Sequence, residues 1–272
     1  MLFDLHSHTL HSDGALTPQD LLSRAVEKGV DVLAITDHDN TEAYSETRDS
    51  PSSIRLVPGI ELSTQWQSVG IHVLGLNTDP RCDAMLEAAR LQGDMRLKRA
   101  RRIAENLARK GIGDTFDGAM KLSHGRYIGR PHFARHLVDT GRVDSIHAAF
   151  KKYLGDGKAG DVRKQWAEIP QVIEWIRAAG GVAVLAHPLK YKLTRTRLKR
   201  LLDVFMAAGG QGMEVVSGQQ TAQQTRDMAQ LCAEKNLLAS CGSDFHMPGA
   251  PWAELGRFSP LPEGLVPVWE RF

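Results

Sequence analysis

Short apolar runs alternate with amphipathic stretches along most of this chain, and the period of each stretch separates strands from helices. Residues 2–5 read as a short strand. A helix follows with a defined start and stop: Thr17 as N-cap, Pro18 at the first helical position, Leu21, Leu22, Ala25 and Val26 on one face, and Gly29 beyond the end. Residues 30–35 form a near-continuous apolar run of the kind buried in parallel sheets. Further strands are expected at 54–57, 71–76, 182–186, 213–216 and 237–240, with helical patterns at 168–179, 195–208 and 220–235. About seven strands separated mostly by helices or loops predict a parallel α/β architecture.

The middle of the chain breaks this rhythm. A long helix is readable from about 83 to 110 through Leu86, Ala89, Leu97, Ala100, Ile103, Ala104 and Leu107, and no strand pattern returns before residue 182. Phe133, Leu137 and Val138, then Ile146, Ala149, Phe150 and Leu154, read as short helices. The expected division is a main domain of 1–95 and 165–272 with a helical insertion of 96–164. Charge sharpens it. The whole chain carries a formal +2, but the insertion holds 17 Lys+Arg against 7 Asp+Glu and the remainder 17 against 25, so a basic insertion (+10) accompanies an acidic main domain (−8). Part of that excess, the run from Arg96 through Lys98, Arg99 and Arg101 to Arg102, is equally what a solvated helix face looks like.

With 42% hydrophobic and 24% charged residues the chain is expected to be a folded soluble protein, neither a disordered tail nor a uniformly basic nucleic-acid binder. Cys82, Cys232 and Cys241 are odd in number and far apart, which suits neither a disulfide framework nor a thiolate zinc module. A reducing, cytoplasmic setting is expected, with no signal peptide and no membrane span. The 11 histidines are the unusual feature.

His6 and His8 follow the first strand, where residues two apart point to one side. Asp13 lies in the polar loop after them. Asp37, His38 and Asp39 follow the apolar run 30–35, and Glu61 is expected just past the next strand. His72 stands alone inside an apolar strand, His187 closes 182–186, and Asp244 and His246 close the last strand. Each has an ordinary account by itself, as a turn residue or a hydrogen-bonded core histidine. Their recurrence at six strands or strand ends in sequence order does not, because such ends converge on one face of a parallel barrel. Neutral imidazoles with carboxylates and no thiolate suit Mn, Fe or Zn, whereas a Ca or Mg site would be nearly all oxygen. Nine ligands exceed one ion and call for two or three, with a carboxylate such as Glu61 bridging.

In this order the motifs resemble the signature of the PHP (polymerase and histidinol phosphatase) domain. The resemblance implies a distorted (βα)7 TIM-like barrel with three metals at its C-terminal face. It implies one metal held by His6, His8, Glu61 and Asp244, a second by Glu61, His72 and His187, and a third by Asp13, His38 and His246. Two to three divalent ions are expected, Mn2+ favoured over Zn2+ or Fe2+. Residues 128–135 and 149–155 look like the helical insert of the branch containing 3′,5′-nucleotide bisphosphate phosphatases and 5′→3′ exoribonucleases. That resemblance implies a phosphoesterase in which a metal-bridging hydroxide attacks phosphorus. The substrate would be a nucleoside 3′,5′-bisphosphate losing its 3′-phosphate, or short 5′-phosphorylated RNA, with no obligate protein partner.

Arg130, at the turn into a helix, with His132 and Arg135 close behind, is expected to hold phosphate from the insertion, which acts as a substrate lid. His246 or His132 are the candidate general acids, and Asp39 is expected to orient a ligand histidine. Tyr127, Phe133, Tyr153 and Trp166 are candidates to stack a base. The alternatives are a histidinol-phosphate-type monophosphatase, an amidohydrolase and a noncatalytic polymerase-associated module.

Overall fold

The computed structural model describes residues 1–47, 53–123, 127–162 and 166–272. Seven strands follow one another in sequence order: β1 (Phe3–Asp4), β2 (Val32–Ile35), β3 (Arg55–Trp66), β4 (Val69–Leu76), β5 (Val182–Leu185), β6 (Gly212–Ser217) and β7 (Leu238–Gly242). The ring then nearly closes. Leu5 N–H donates to the Cys241 carbonyl at 3.0 Å, and Asp244 N–H to that of His6 at 2.9 Å. Gly242 makes this approach feasible, since a Cβ there would lie 2.4 Å from that of His6. The result is a distorted TIM-like barrel.

Strands β1–β2–β3 and β5–β6–β7 pair in parallel, but β3–β4 and β4–β5 are antiparallel, which corrects the expectation of a uniformly parallel sheet. The cause is local. Pro58-Gly59 looks like a strand end in sequence, yet β3 runs through it for twelve residues and turns back through Gln67-Ser68, with Gln67 at φ 54°. Glu61 therefore lies inside a strand rather than past one, with Leu74 as its cross-strand partner on β4.

The helices wrap the barrel as their caps dictate. Helix α1 (Pro18–Glu27) is capped by the Thr17 hydroxyl, which accepts from Asp20 N–H, and buries Leu21, Leu22 and Ala25, while Val26 turns toward solvent. Helices α6 (Ile169–Ala178), α7 (Arg195–Ala207) and α8 (Ala222–Glu234) cover the outer face, and Val57, Leu74, Leu76, Val184 and Ala186 belong to a separate apolar cluster with Leu5.

Helix α2 (Asp83–Ala108) has two apolar environments. Met85 and Ala88 join the barrel's cluster, whereas Ala100, Ile103 and Leu107 join a second one built on α3 (Thr115–Leu122), α4 (Arg130–Asp139) and α5 (Ile146–Ala149), centred on Phe133 and Leu137. The expected boundary at 95/96 thus falls within a continuous helix. The boundary at 164/165 and His124 lie outside the described residues. No helix among the described residues is long and apolar enough to cross a membrane.

Candidate metal centre

The nine side chains expected to ligate metal meet at the face where β1, β2, β5 and β7 end, in overlapping groups whose donor atoms lie within 4.8 Å of one another. His6 Nε2 is 3.1 Å from His8 Nε2, 3.3 Å from Glu61 Oε2 and 3.4 Å from Asp244 Oδ1. Glu61 is the hub: Oε1 lies 2.8 Å from both His72 Nδ1 and His187 Nε2, and Oε2 lies 3.0 Å from His38 Nδ1. Asp13 Oδ1 is 3.3 Å from His246 Nε2, and its Oδ2 is 3.7 Å from His38 Nε2. Gly14 lets the Asp13 loop fold back on the segment that follows β1, because a Cβ there would be 2.4 Å from the His8 carbonyl oxygen. Strain gathers here: Asp39, His187 and Asp244 have φ of 56°, 26° and 53°, in the left-handed region that non-glycine residues avoid.

Buried polar atoms test whether divalent ions fit. Asp13 Oδ1, His38 Nδ1 and Glu61 Oε2 are buried without a hydrogen-bond partner, a costly state unless a cation is the partner. Burial pushes the His38 and His187 imidazoles down to about 4 and about 3, so both are neutral near pH 7. Burial opposes charge on Glu61 and Asp13 as well, but the surrounding imidazoles outweigh it and hold both carboxyls well below their usual range. Burial opposes charge on His6 too, but Glu214 and Glu61 outweigh it and raise that imidazole to about 10, so a cation there would displace a proton. The neutral His38 and His187 beside ionised carboxylates already have the protonation states that metal ligation needs. The residues fit the group.

A cavity of about 490 Å³ opens above the cluster, and its far wall comes from the insertion. Arg96, Arg99 and Arg130 line it with Phe150 and Trp166, and Lys190 lines it from the barrel side. Arg96 and Arg99 lie over the Trp166 ring at 5.3 and 5.5 Å, and Arg130 over Phe150 at 5.9 Å. Burial, then the nearby charges of Arg130 and Arg96, push Arg99 down to about 9. Lys190 donates to Asp244 Oδ2.

Other expected site residues stand elsewhere. Asp39 is buried and its side-chain bonds go to groups other than a ligand histidine; its Oδ1 accepts from Ser63 N–H at 2.6 Å and Gln92 Nε2 at 3.0 Å, and its Oδ2 pairs with Arg96 Nε at 2.6 Å. His132 is buried, with Nδ1 accepting from Gly129 N–H at 3.0 Å, and neither it nor Arg135 is among the residues lining the cavity. Of the four candidate stacking aromatics Trp166 lines the cavity, whereas Phe133 is fully buried in the insertion core and Tyr153 packs on that core. Tyr127 packs at Gly93, where a Cβ would meet its ring at 3.3 Å.

Comparison with known proteins follows the same lines. The model of the PHP domain matches residues 4–217. This chain belongs to the PHP domain family. The PHP chain is 45% identical over 274 residues to the 5′-3′ exoribonuclease Rnm of Escherichia coli, covering 99% of this chain and 93% of that one. It is 41% identical over 269 residues to a 3′,5′-nucleoside bisphosphate phosphatase of Chromobacterium violaceum, covering 98% and 94%. A solved Chromobacterium violaceum structure, named an amidohydrolase and containing sulfate but no metal, superposes on this PHP chain with a TM-score of 0.91 at 40% identity, over 99% and 95% of the two chains.

Proposed function

We propose that this protein is a divalent-metal-dependent phosphoesterase that removes the 3′-phosphate of nucleoside 3′,5′-bisphosphates and acts on short 5′-phosphorylated RNA in the 5′→3′ direction. The observation that carries this reading is the shared cavity: three guanidinium groups face the imidazole–carboxylate cluster across about 490 Å³, a volume suited to one nucleotide. A second phosphate, held away from the reacting one, answers that concentration of positive charge.

His6, His8, Glu61 and Asp244 would hold one ion, Glu61, His72 and His187 a second, and Asp13, His38 and His246 a third, with Mn2+ the favoured metal. When bound, such ions supply Lewis-acid neutralisation of phosphoryl oxygens and lower the pKa of water toward about 7. The chain itself supplies the rest. Arg99 and Arg130 bind the distal phosphate, Arg96 is held in place by Asp39, and Trp166 with Phe150 offers a stacking wall beside them. Lys190 stands at the cluster's edge as a further cation for phosphoryl oxygen. His246 donates Nδ1–H to the Asp244 carbonyl at 2.9 Å, which leaves Nε2 facing Asp13 as ligand, so we assign it to metal holding rather than proton donation. Unpaired Cys82, Cys232 and Cys241 suit a reducing, cytoplasmic setting.

Phosphate release by metal-reconstituted protein tests the reading, with 3′,5′-bisphosphates, 3′- and 5′-monophosphates, histidinol phosphate, short 5′-phosphorylated RNA and amide substrates compared side by side. The bisphosphate is expected to lead. A wide lead for histidinol phosphate, or hydrolysis of amides alone, overturns it.

A further inference from the structure

Outside the nine ligand positions, a buried carboxylate reaches the ring of one ligand and the backbone of another from behind. Glu214 lies on β6 and is 1% exposed. The strand is bulged here: Glu214 pairs with Ser240 but Val216 with the next residue, Cys241, so Val215 is the extra residue. Met213, Val215 and Val216 all join the outer apolar cluster, and Glu214 alone of that stretch turns toward the cluster of ligands. An ionised carboxylate in this position is expensive unless both oxygens are used. Both are. Oε1 lies 2.9 Å from His6 Nδ1, and Oε2 accepts the backbone N–H of His187 at 2.5 Å.

Each contact controls a ligand. A carboxylate oxygen against His6 Nδ1 calls for the proton there, which leaves the Nε2 lone pair free. That atom points at His8 Nε2, Glu61 Oε2 and Asp244 Oδ1, all within 3.4 Å, the one direction in which a cation could be shared. His8 has nothing equivalent: its Nδ1 meets the Ser12 hydroxyl at 3.4 Å and Asp13 only at 4.0 Å. At His187 the bond falls on the backbone, at a residue with φ 26° and ψ 59°, and helps to pin that strained conformation so that Nε2 reaches Glu61. Glu214 is not itself a ligand, because both oxygens are engaged and it belongs to none of the metal-sized groups.

We propose that Glu214 is a positioning residue for the metal centre: it fixes the His6 proton on Nδ1 and the His187 backbone, and so aims one imidazole from the end of β1 and one from the end of β5 at the same cluster. The inference rests on the metal-centre reading above. It also adds a negative charge behind the three ligand carboxylates Asp13, Glu61 and Asp244, which favours retention of divalent cations and raises the basicity of His6 as a donor.

Two measurements decide it. In the Zn2+-loaded wild-type protein with 15N-labelled histidine, the His6 ring is expected to carry its proton on Nδ1 and its metal on Nε2; a proton on Nε2 overturns the proposal. Glu214→Gln keeps the size, yet an amide cannot accept from both His6 and His187, so metal affinity in chelator competition is expected to fall about 10–100-fold. The melting temperature should change little, the KM for a bisphosphate should hold, and excess metal should restore kcat. Affinity within twofold of wild type in a folded Glu214→Gln protein sinks the inference; should that variant not fold, the wild-type tautomer decides. Failure of the wild type to take up any metal would instead remove the metal-centre reading.

Discussion

The barrel face and the insertion build their halves of the cavity by different means. On the barrel, nine short-reach side chains are fixed by backbone: strand ends, left-handed residues at 39, 187 and 244, and a closure at Gly242 too tight for any Cβ. On the insertion, Arg96, Arg99 and Arg130 reach in on long side chains from helices whose apolar core is separate from the barrel's. The first arrangement suits metal chemistry, which tolerates little displacement. The second suits recognition of a charged group whose position varies with the substrate. Among the described residues only α2 contributes to both apolar clusters, and it is locked to the barrel through Gln92 and Arg96 on Asp39.

If that division is real, the largest effect belongs to the hub of the barrel side. Glu61→Gln should leave the fold intact but lower metal occupancy and reduce phosphate release by about 10³-fold or more, on the order of 4 kcal/mol of transition-state stabilisation. Metal analysis beside kinetics checks it. Full metal occupancy with normal turnover would mean that the cluster's centre lies elsewhere.

Next comes the joint between the two halves. Asp39→Ala leaves the Arg96 guanidinium, 7% exposed, without its carboxylate, and removing one partner of a buried pair costs about 3–5 kcal/mol. Chemical denaturation should register that loss, whereas metal content in the folded protein should stay near wild type. If metal is lost and stability is kept, Asp39 serves the ligands and not the insertion.

The same contrast explains what could be read from the sequence. Ligands on the barrel were legible because a short side chain must start from the right backbone position, and His6, His8, His38, His187, Asp244 and His246 all sit where apolar runs stop. Strand direction was not legible, since Pro58-Gly59 hides that β3 continues to Trp66. Glu214 carries a usable signal, since like His72 it is a lone polar residue within an apolar strand. The insertion was harder, because a long side chain can reach the cavity from many places. Arg96 and Arg99, three apart on α2, share a face, so the basic run is only partly solvated. On α4, two residues correspond to about 200° of rotation, which turns His132 away from the side that Arg130 presents. Arg135, five residues on, is about 140° away and is likewise absent from the cavity wall.

A smaller effect should follow from trimming the insertion's reach. Arg130→Ala is expected to reduce kcat/KM for a 3′,5′-bisphosphate by about 30-fold, roughly 2 kcal/mol, with metal content unchanged and a much weaker effect on a 3′-monophosphate. Equal losses on both substrates would place Arg130 at the reacting phosphate, and so on the barrel's side of the division.

The smallest effect concerns stability within the insertion and carries a sign. Burial pushes the His132 imidazole from its ordinary value near 6.5 down to about 4. Between those values the unfolded chain binds the proton that the folded chain refuses, so this contribution is fully present above pH 6.5 and is lost progressively as pH falls toward 4. From pH 7.5 to 5.5 the loss is roughly 1.4 kcal/mol. Other groups titrate over the same range, so the informative quantity is a difference. In His132→Gln the amide oxygen can still accept from Gly129 N–H, as Gln does at the third position of a capping box, but it has no proton to gain. Metal-loaded His132→Gln should therefore lose less stability than wild type between pH 7.5 and 5.5, with equal bisphosphate turnover at pH 7.5. Parallel pH dependences would show that His132 is not the buried neutral group, and a drop in turnover would return it to the reacting side of the cavity.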